Sequence, residues 1–352
     1  MSDGSLRRKG RRELMDINSA KSEVIKAGNE LVKRGLVART WGNVSCRIDE
    51  NTMAITPSGI AYDRLDEDCI VVMNIDSLEY NGEIKPSSEK GIHATAYRAN
   101  SQTNFVIHTH QTYATIIGIS GFSSLNPIQE LDLLGGEIGV SGYGLPGTKA
   151  LRKAVSVEID KGRQTILMKN HGALLLGRDM EEAFNRAALL EDICKRAMDE
   201  LPKFNDTPAE AGEELQDVIS EIRKDWPDFT SVRVLASEAV DSAMKISGTL
   251  PAVIDDFAQI VGGDLKIATK QNASRMLKGR NAVLISGVGA LCCAGNESDC
   301  HAVLTLVEKN ALAFLNAKKN GDSSSISFFD KKLMRYIYLN KYSKQKLTGH
   351  KE

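Results

Sequence analysis

The sequence predicts an α/β layered fold in two units, the second related to the first but incomplete. Three observations carry that expectation. A chain of 352 residues has room for two cores at roughly 150 residues per domain. Short β-rich runs alternate with helical periodicities, and the runs follow one another too closely for a simple doubly wound sheet. A motif in the first half returns in the second half, each time ahead of a long helical period. The composition, 42% hydrophobic and 26% charged, is that of an ordinary globular protein.

Residues 1–12 carry the basic cluster Arg7, Arg8, Lys9, Arg11 and Arg12 without an apolar period, and are expected to form a mobile tail. A first unit is expected over 13–205. From about Leu14, Ile17, Ala20, Val24, Ala27 and Leu31 step by three and four, and Gly35 supplies a C-terminal stop, which predicts a helix. Strands are expected at Asn43 to Ile48, Met53 to Thr56 and Cys69 to Ile75, separated by turn residues at 49–51, 57–59 and 81–82. After Pro86-Ser87-Ser88-Glu89 a helix is expected from Lys90 to Ala99, then a strand from Asn104 to Thr109 and a helix from Tyr113 to Gly118. Strands at Gln164 to Met168 and Ala173 to Leu176 flank Lys169-Asn170-His171-Gly172, and a long helix with Ala183, Ala187, Leu190 and Cys194 on one stripe follows from Met180 to Leu201. Residues 206–228 read as a linker with a connecting helix from Glu213 to Lys224, 229–320 as the second unit, and 321–352 as a C-terminal tail.

Forty-five Lys and Arg against 46 Asp and Glu leave a net charge of −1, which argues against a chain built to neutralise nucleic acid phosphate. No apolar stretch reaches the roughly 18 to 20 residues of a membrane span. Residues 1–16 are basic with no apolar segment behind them, so no secretory signal is expected and the expected location is cytoplasmic. Six cysteines with no Cys-x-x-Cys pair read as small buried hydrophobes of a reduced protein.

The returning motif is Gly162 to Leu174, matched by Gly279 to Leu291, and each copy precedes a glycine, an acidic turn and a long helix, Glu181 to Ala197 and Asp299 to Ala317. Upstream, Pro127 to Gly136 and Pro251 to Gly263 share a proline, acidic residues and a closing Gly-Gly. Duplication explains both matches in the same order. His171 corresponds to Val288 and the second copy has no His-x-His, so that copy is expected to have lost the chemistry of the first.

Histidine is scarce, six in all, yet His108 and His110 stand two apart in one expected strand, where the period of two puts both rings on one face. His171, at a glycine-bounded turn, can aim a third ring at the same point. Three neutral imidazoles with an open position make a catalytic zinc site; the alternative is two strand histidines and an unrelated turn histidine. Glu89 reads either as a first-turn carboxylate favoured by the helix dipole or as a general acid/base beside the metal. The turns at Gly42-Asn43, Thr56-Pro57-Ser58-Gly59 and Ser87-Ser88 are small and polar and can form anion nests, or be plain turns. There is no P-loop and no Gly-x-Gly-x-x-Gly after a strand.

Gly42-Asn43-Val44-Ser45, Thr56-Pro57-Ser58-Gly59, Lys85-Pro86-Ser87-Ser88-Glu89, His108-Thr109-His110 and Asn170-His171-Gly172-Ala173 occur in the order and spacing of the class II aldolase/adducin family. The chain resembles that family from about Glu13 to Leu201, most closely its members that cleave L-fuculose 1-phosphate. The resemblance implies a central β-sheet flanked by helices and assembly as a homo-oligomer with active sites between subunits. It implies that His108, His110 and His171 bind Zn2+ or another divalent metal, that Glu89 is the acid/base, and that Gly42, Asn43, Thr56, Gly59, Ser87 and Ser88 hold the substrate phosphate. The implied reaction is cleavage of a ketose 1-phosphate to dihydroxyacetone phosphate and an aldehyde. A sugar-phosphate 4-epimerase, a dehydratase or a decarboxylase fits the same metal site, and the family also contains non-catalytic adducin-like scaffold modules. The family's tyrosine ahead of Gly135-Gly136 is missing, and Tyr336, Tyr338 and Tyr342 of the tail stand as candidate proton donors. Tyr143 matches a pocket-wall position. The second unit is expected to act as a pseudo-subunit, packed where a neighbouring active subunit would otherwise sit.

Overall fold

The structure, a computed structural model, describes residues 15–37, 41–120, 130–322 and 326–342. The expected basic tail therefore lies outside the described residues, as do Pro127 and most of the link at 321–325. The first unit comprises α1 (Ile17–Lys33), β1 (Asn43–Arg47), β2 (Thr52–Ile55), β3 (Val71–Asn74), α2 (Lys90–Ala99), β4 (Phe105–Thr109), α3 (Thr112–Gly118), β5 (Gly139–Ser141), α4 (Lys149–Asp160), β6 (Thr165–Met168), β7 (Gly172–Gly177) and α5 (Met180–Arg196). Its seven strands run in the order β3-β2-β1-β4-β7-β6-β5, all antiparallel except β5 and β6.

Both faces of this sheet are covered, which is why β4 and β7 are buried along their whole length. On one face Ile92, Ala96 and Tyr97 of α2 and Leu151, Val155 and Ile159 of α4 meet Val106, Ile166, Met168, Leu174 and Leu176. On the other, α1, α3 and α5 pack on Val44, Ile107, Leu167 and Leu175. Asp16 caps α1 by accepting from the amides of Asn18 and Ser19, and Asp179 caps α5 through the amide of Glu182.

The second unit comprises α6 (Gln216–Asp225), β8 (Ser231–Leu235), α7 (Glu238–Ile246), β9 (Thr249–Leu250), a π-helical turn (Phe257–Val261), β10 (Leu265–Ala268), α8 (Ala273–Met276), β11 (Ala282–Ile285), β12 (Gly289–Ala294), α9 (Glu297–Lys319) and α10 (Phe328–Ile337). Its sheet has the order β8-β12-β11-β10-β9. The helix expected as a connector is α6, and it does more than connect. Val218, Ile219 and Ile222 cover the outer face of the second sheet against Val232, Val234 and Val283.

The strand pairs β4–β7 and β7–β6 are antiparallel and β6–β5 is parallel; β8–β12 and β12–β11 are antiparallel and β11–β10 is parallel. The returning sequence motif falls on the β6–β7 and β11–β12 hairpins, whose closing pairs are Met168 with Gly172 and Ile285 with Gly289. Each hairpin needs one left-handed residue at its turn, Asn170 in the first and Gly287 in the second.

α9 joins the units. It is buried on nearly every side from Cys300 to Ala317, lying between the second sheet, α7 and α3. The side-chain amide of Asn316 donates to the carbonyl of Ile116 on α3 at 3.0 Å. One apolar cluster consequently runs from Ala20 through Ile116 and Leu312 to Leu284. Five of the cysteines are buried and all six are free thiols. Among the described residues no helix is long and apolar enough to cross a membrane.

Because the two units share this core, Leu312→Ala is expected to cost about 2 to 5 kcal/mol and to shift a single unfolding transition. Calorimetry checks it; two separated transitions, only one of them moved, would contradict a shared core.

Candidate metal centre

The site is built on β4, in the middle of the first sheet. His108 and His110 point to the side on which α2 begins, as the strand period requires, and Asn43 on β1 is directly opposite His108. The chain must approach closely here. A Cβ at Gly42, where φ is +86°, would lie 2.5 Å from the carbonyl oxygen of His108, and one at Gly172 would lie 2.1 Å from that of Thr109. Glycine at 172 lets β7 start against β4 and so brings in His171.

The three Nε2 atoms converge. That of His108 is 2.8 Å from that of His110 and 3.1 Å from that of His171, and the rings of His108 and His171 stack at 4.9 Å. Every Nδ1 is engaged by an acceptor: His108 donates to the carbonyl of Ala173 at 2.9 Å, His110 to Asp256 at 2.6 Å and His171 to Asp255 at 3.0 Å. With Nδ1 engaged in this way, each Nε2 is aimed at one point and, in the neutral ring, offers its lone pair there. The donor set therefore fits a divalent metal held by three imidazoles.

Glu89, the residue before α2, lies against the same atoms. Its carboxylate is 3.1 Å from Nε2 of His171 and 3.2 Å from Nε2 of His108, and its amide donates to Oγ of Ser87 at 3.2 Å. The side-chain amide of Asn43 donates to it at 3.0 Å. Because the Asn43 nitrogen is used in this way, its oxygen accepts from Nε2 of His93 at 2.5 Å. Nδ1 of His93 then accepts from Ser45 at 2.7 Å, and Ser45 from Tyr97 at 2.7 Å. The result is a buried one-way chain from Tyr97 to Glu89, with His93 neutral.

Electrostatics follow from burial and these contacts. Burial opposes ionisation of Glu89, but the His108 and His171 rings and the hydrogen bonds from His171 and Asn43 outweigh it and hold the carboxyl well below the usual range. Burial pushes His108 down to about 3 and His93 down to about 4. His171 is also penalised by burial, yet Glu89 and Asp255 on its two sides raise it to about 10. Without a metal, His171 carries the proton that a metal would displace.

The structure brings the three small polar turns together: the Thr56 amide donates to the carbonyl of Val44, the Ser87 amide to that of Thr56, and the Ser58 amide to that of Lys85. Oγ of Thr56 accepts from the Val44 amide at 3.1 Å. Ser88 is exposed, and Gly59 is exposed with φ of +80°. Of the tail tyrosines, Tyr336 and Tyr338 are not brought to the cluster within the chain. Tyr336 is 66% exposed, Tyr338 lies under the Arg335 guanidinium, and the side chain of Tyr342 lies outside the described residues. No described contact joins Tyr336 or Tyr338 to Glu89 or the histidines, because α10 packs on the Phe257–Val261 turn instead.

Sequence reasoning missed Asp255 and Asp256, both contributed by the second unit, and the link by which His93 holds Asn43, read there only as a phosphate-turn residue, against Glu89. Two adjacent acids inside the apolar run from Pro251 to Val261 were the available signal, since buried carboxylates need partners. Tyr143 reaches the same place, with its hydroxyl 3.4 Å from Asp255.

The first unit is similar in sequence to known proteins. The family model described as Class II Aldolase and Adducin N-terminal domain matches residues 22–198. The chain is 30% identical over 178 residues to 5-deoxy-D-ribulose 1-phosphate aldolase of Bacillus thuringiensis serovar kurstaki, covering 50% of this chain and 83% of that protein. It is 28% identical over 214 residues to L-fuculose phosphate aldolase of Escherichia coli O6:H1, covering 59% of this chain and 96% of that one. A solved L-fuculose 1-phosphate aldolase shares 32% identity with a TM-score of 0.48, over 60% of this chain and 98% of that chain.

His93 yields a pH prediction. Its folded value of about 4 lies below the ordinary 6.5, so the unfolded chain takes up the proton first. Its contribution is present above about 6.5 and is lost as pH falls toward 4. Urea midpoints of metal-free protein should fall across that window, and less steeply in His93→Gln. An unchanged slope in the variant would contradict a neutral buried His93.

Proposed function

The chain belongs to the class II aldolase and adducin N-terminal domain family, and from that membership we propose that it is a zinc-dependent aldolase acting on a ketose 1-phosphate. The observation that carries this reading is the convergence of three imidazole nitrogens on one point with the Glu89 carboxylate against them. His108, His110 and His171 would hold the metal, which supplies Lewis acidity to a substrate carbonyl.

The chain's own residues account for the proton and for binding. Cleavage breaks the bond between C3 and C4 of the ketose, leaves its electron pair on C3, and takes the proton from the C4 hydroxyl, which becomes the aldehyde. C3 must then be protonated to give dihydroxyacetone phosphate. Glu89 is ionised at rest, so it is a base until it has accepted a proton and an acid afterwards. Asn43 fixes its orientation throughout.

Gly42, Asn43, Thr56, Gly59, Ser87 and Ser88 form the phosphate-binding set in this reading. Within it, the hydroxyls of Thr56 and Ser87 already serve backbone amides. Ser88 and the amide of Gly59 have no hydrogen-bond partner among the described residues, which favours them as phosphate donors. A cavity of about 140 Å3 lined by Ser88, Glu89, Gly147 and Thr148 also bears Lys90, Lys149 and Arg152. That positive rim supports an anionic substrate.

The test is release of dihydroxyacetone phosphate, followed by enzyme coupling, from a panel that includes L-fuculose 1-phosphate and 5-deoxy-D-ribulose 1-phosphate. Zinc-loaded protein is expected to cleave at least one, to stop on chelation and to recover with zinc. Glu89→Gln is expected to keep the metal and lose about 100-fold or more in turnover. No cleavage of any member by metal-loaded protein would remove the aldolase reading, and near-normal turnover in the variant would remove Glu89 from its role. Ser88→Ala is expected to raise KM for the phosphorylated substrate with kcat little changed; an unchanged KM would take Ser88 out of the phosphate site.

A further inference from the structure

We propose that the second unit is a working part of the metal centre, with Asp255 and Asp256 as positioning residues that hold the rings of His171 and His110 in their metal-binding orientation. The proposal rests on the metal reading of the three histidines and goes beyond it, because both acids come from outside the segment that matches the family.

Geometry carries the argument. Asp256 accepts from Nδ1 of His110 at 2.6 Å and Asp255 from Nδ1 of His171 at 3.0 Å. Both acids are buried. A ligand imidazole whose second nitrogen donates to a carboxylate is fixed in tautomer and ring angle and is a more basic ligand. His108 has the weaker equivalent, a backbone carbonyl, so two of the three orientations depend on the second unit.

The backbone is clamped as well. The Asp255 amide donates to the carbonyl of Asn170 at 2.8 Å, and the Asn170 side chain donates to the carbonyl of Val253 at 2.6 Å. Asn170 is the left-handed residue beside His171, with φ of +65°, and these two bonds hold that unfavourable turn. From α9, Lys309 donates to the carbonyl of His110 at 2.8 Å. Asn310 accepts from the amides of Val253 and Ile254 and donates to the carbonyl of Pro251. The 251–256 segment is thus tied to α9 behind it and to the histidines in front.

Charge gives the segment a purpose. Two adjacent buried carboxylates are costly where an apolar pair would pack. Glu89 lies against His108 and His171, Asp255 against His171 and Asp256 against His110, and a dication among the imidazoles would compensate the three carboxylates. Metal binding and docking of the second unit then stabilise each other by linkage.

The experiment is zinc affinity by competition with a chromophoric chelator, together with the visible spectrum of the cobalt-loaded full-length chain. Asp255→Ala and Asp256→Ala are expected to bind zinc about 10- to 100-fold more weakly and to change the cobalt spectrum. Asp256→Asn, which keeps size and an acceptor oxygen, is expected to lose several-fold and serves if the alanine variants do not fold. Asp241→Asn, in an exposed pair with Lys245 on α7, is expected to match the unaltered chain. Wild-type affinity and spectrum in the Asp255 and Asp256 variants would overturn the positioning role and leave the aldolase reading standing. Absence of zinc binding in the unaltered chain would remove both.

Discussion

Three imidazole lone pairs aimed at one another repel unless a cation or a shared proton lies between them, and much of the first sheet is arranged around that constraint. β4 sits at the centre, where β1 and β7 hold it from both sides. Glycines at 42 and 172 remove the side chains that would keep the neighbouring strands away. Every outward nitrogen has an acceptor, so rotation of any ring to relieve the repulsion would break a buried hydrogen bond. Glu89 meets the cluster from the open side on a tether of Asn43, His93, Ser45 and Tyr97, a chain whose directions are fixed by its first donor.

The same constraint explains why the two units form one body. The acceptors for His110 and His171 reside on a segment that α9 holds in place, and α9 is buried between the second sheet and α3 of the first unit. β8, β12, β11 and β10 share the strand order and pairing of β4, β7, β6 and β5. The second hairpin keeps the left-handed turn, as glycine, and carries Val288 where the first carries His171. A unit with the architecture but without the imidazoles is suited to supporting a neighbouring centre.

Much of this was legible in the chain. The common face of His108 and His110 follows from the strand period alone, the turn of His171 from its glycine, and the helical stripes of α1 and α5 from their apolar spacing. The three polar turns were readable as a group because each lacks bulky side chains. What escaped depends on distant contacts. Nothing local to Asp255 and Asp256 says which histidines they meet, and α6 could be read as a connector until Val218 and Ile222 were seen to lie on the second sheet. α4, with Leu151, Val155 and Ile159 four apart, carries a helical period that the motifs did not require. For the tail tyrosines, an aromatic helix near a terminus suggests a lid, whereas within one chain α10 packs on the Phe257–Val261 turn.

The central claim is that Nε2 of His108, His110 and His171 jointly define one metal position. Anomalous diffraction at the zinc edge, from crystals of the full chain grown with zinc, tests it most directly. The account predicts a single strong peak about 2.0 to 2.1 Å from each of the three Nε2 atoms, with Asp255 and Asp256 still on the Nδ1 side of their rings. A peak bound through Nδ1, or one held elsewhere with the three rings turned apart, would contradict it.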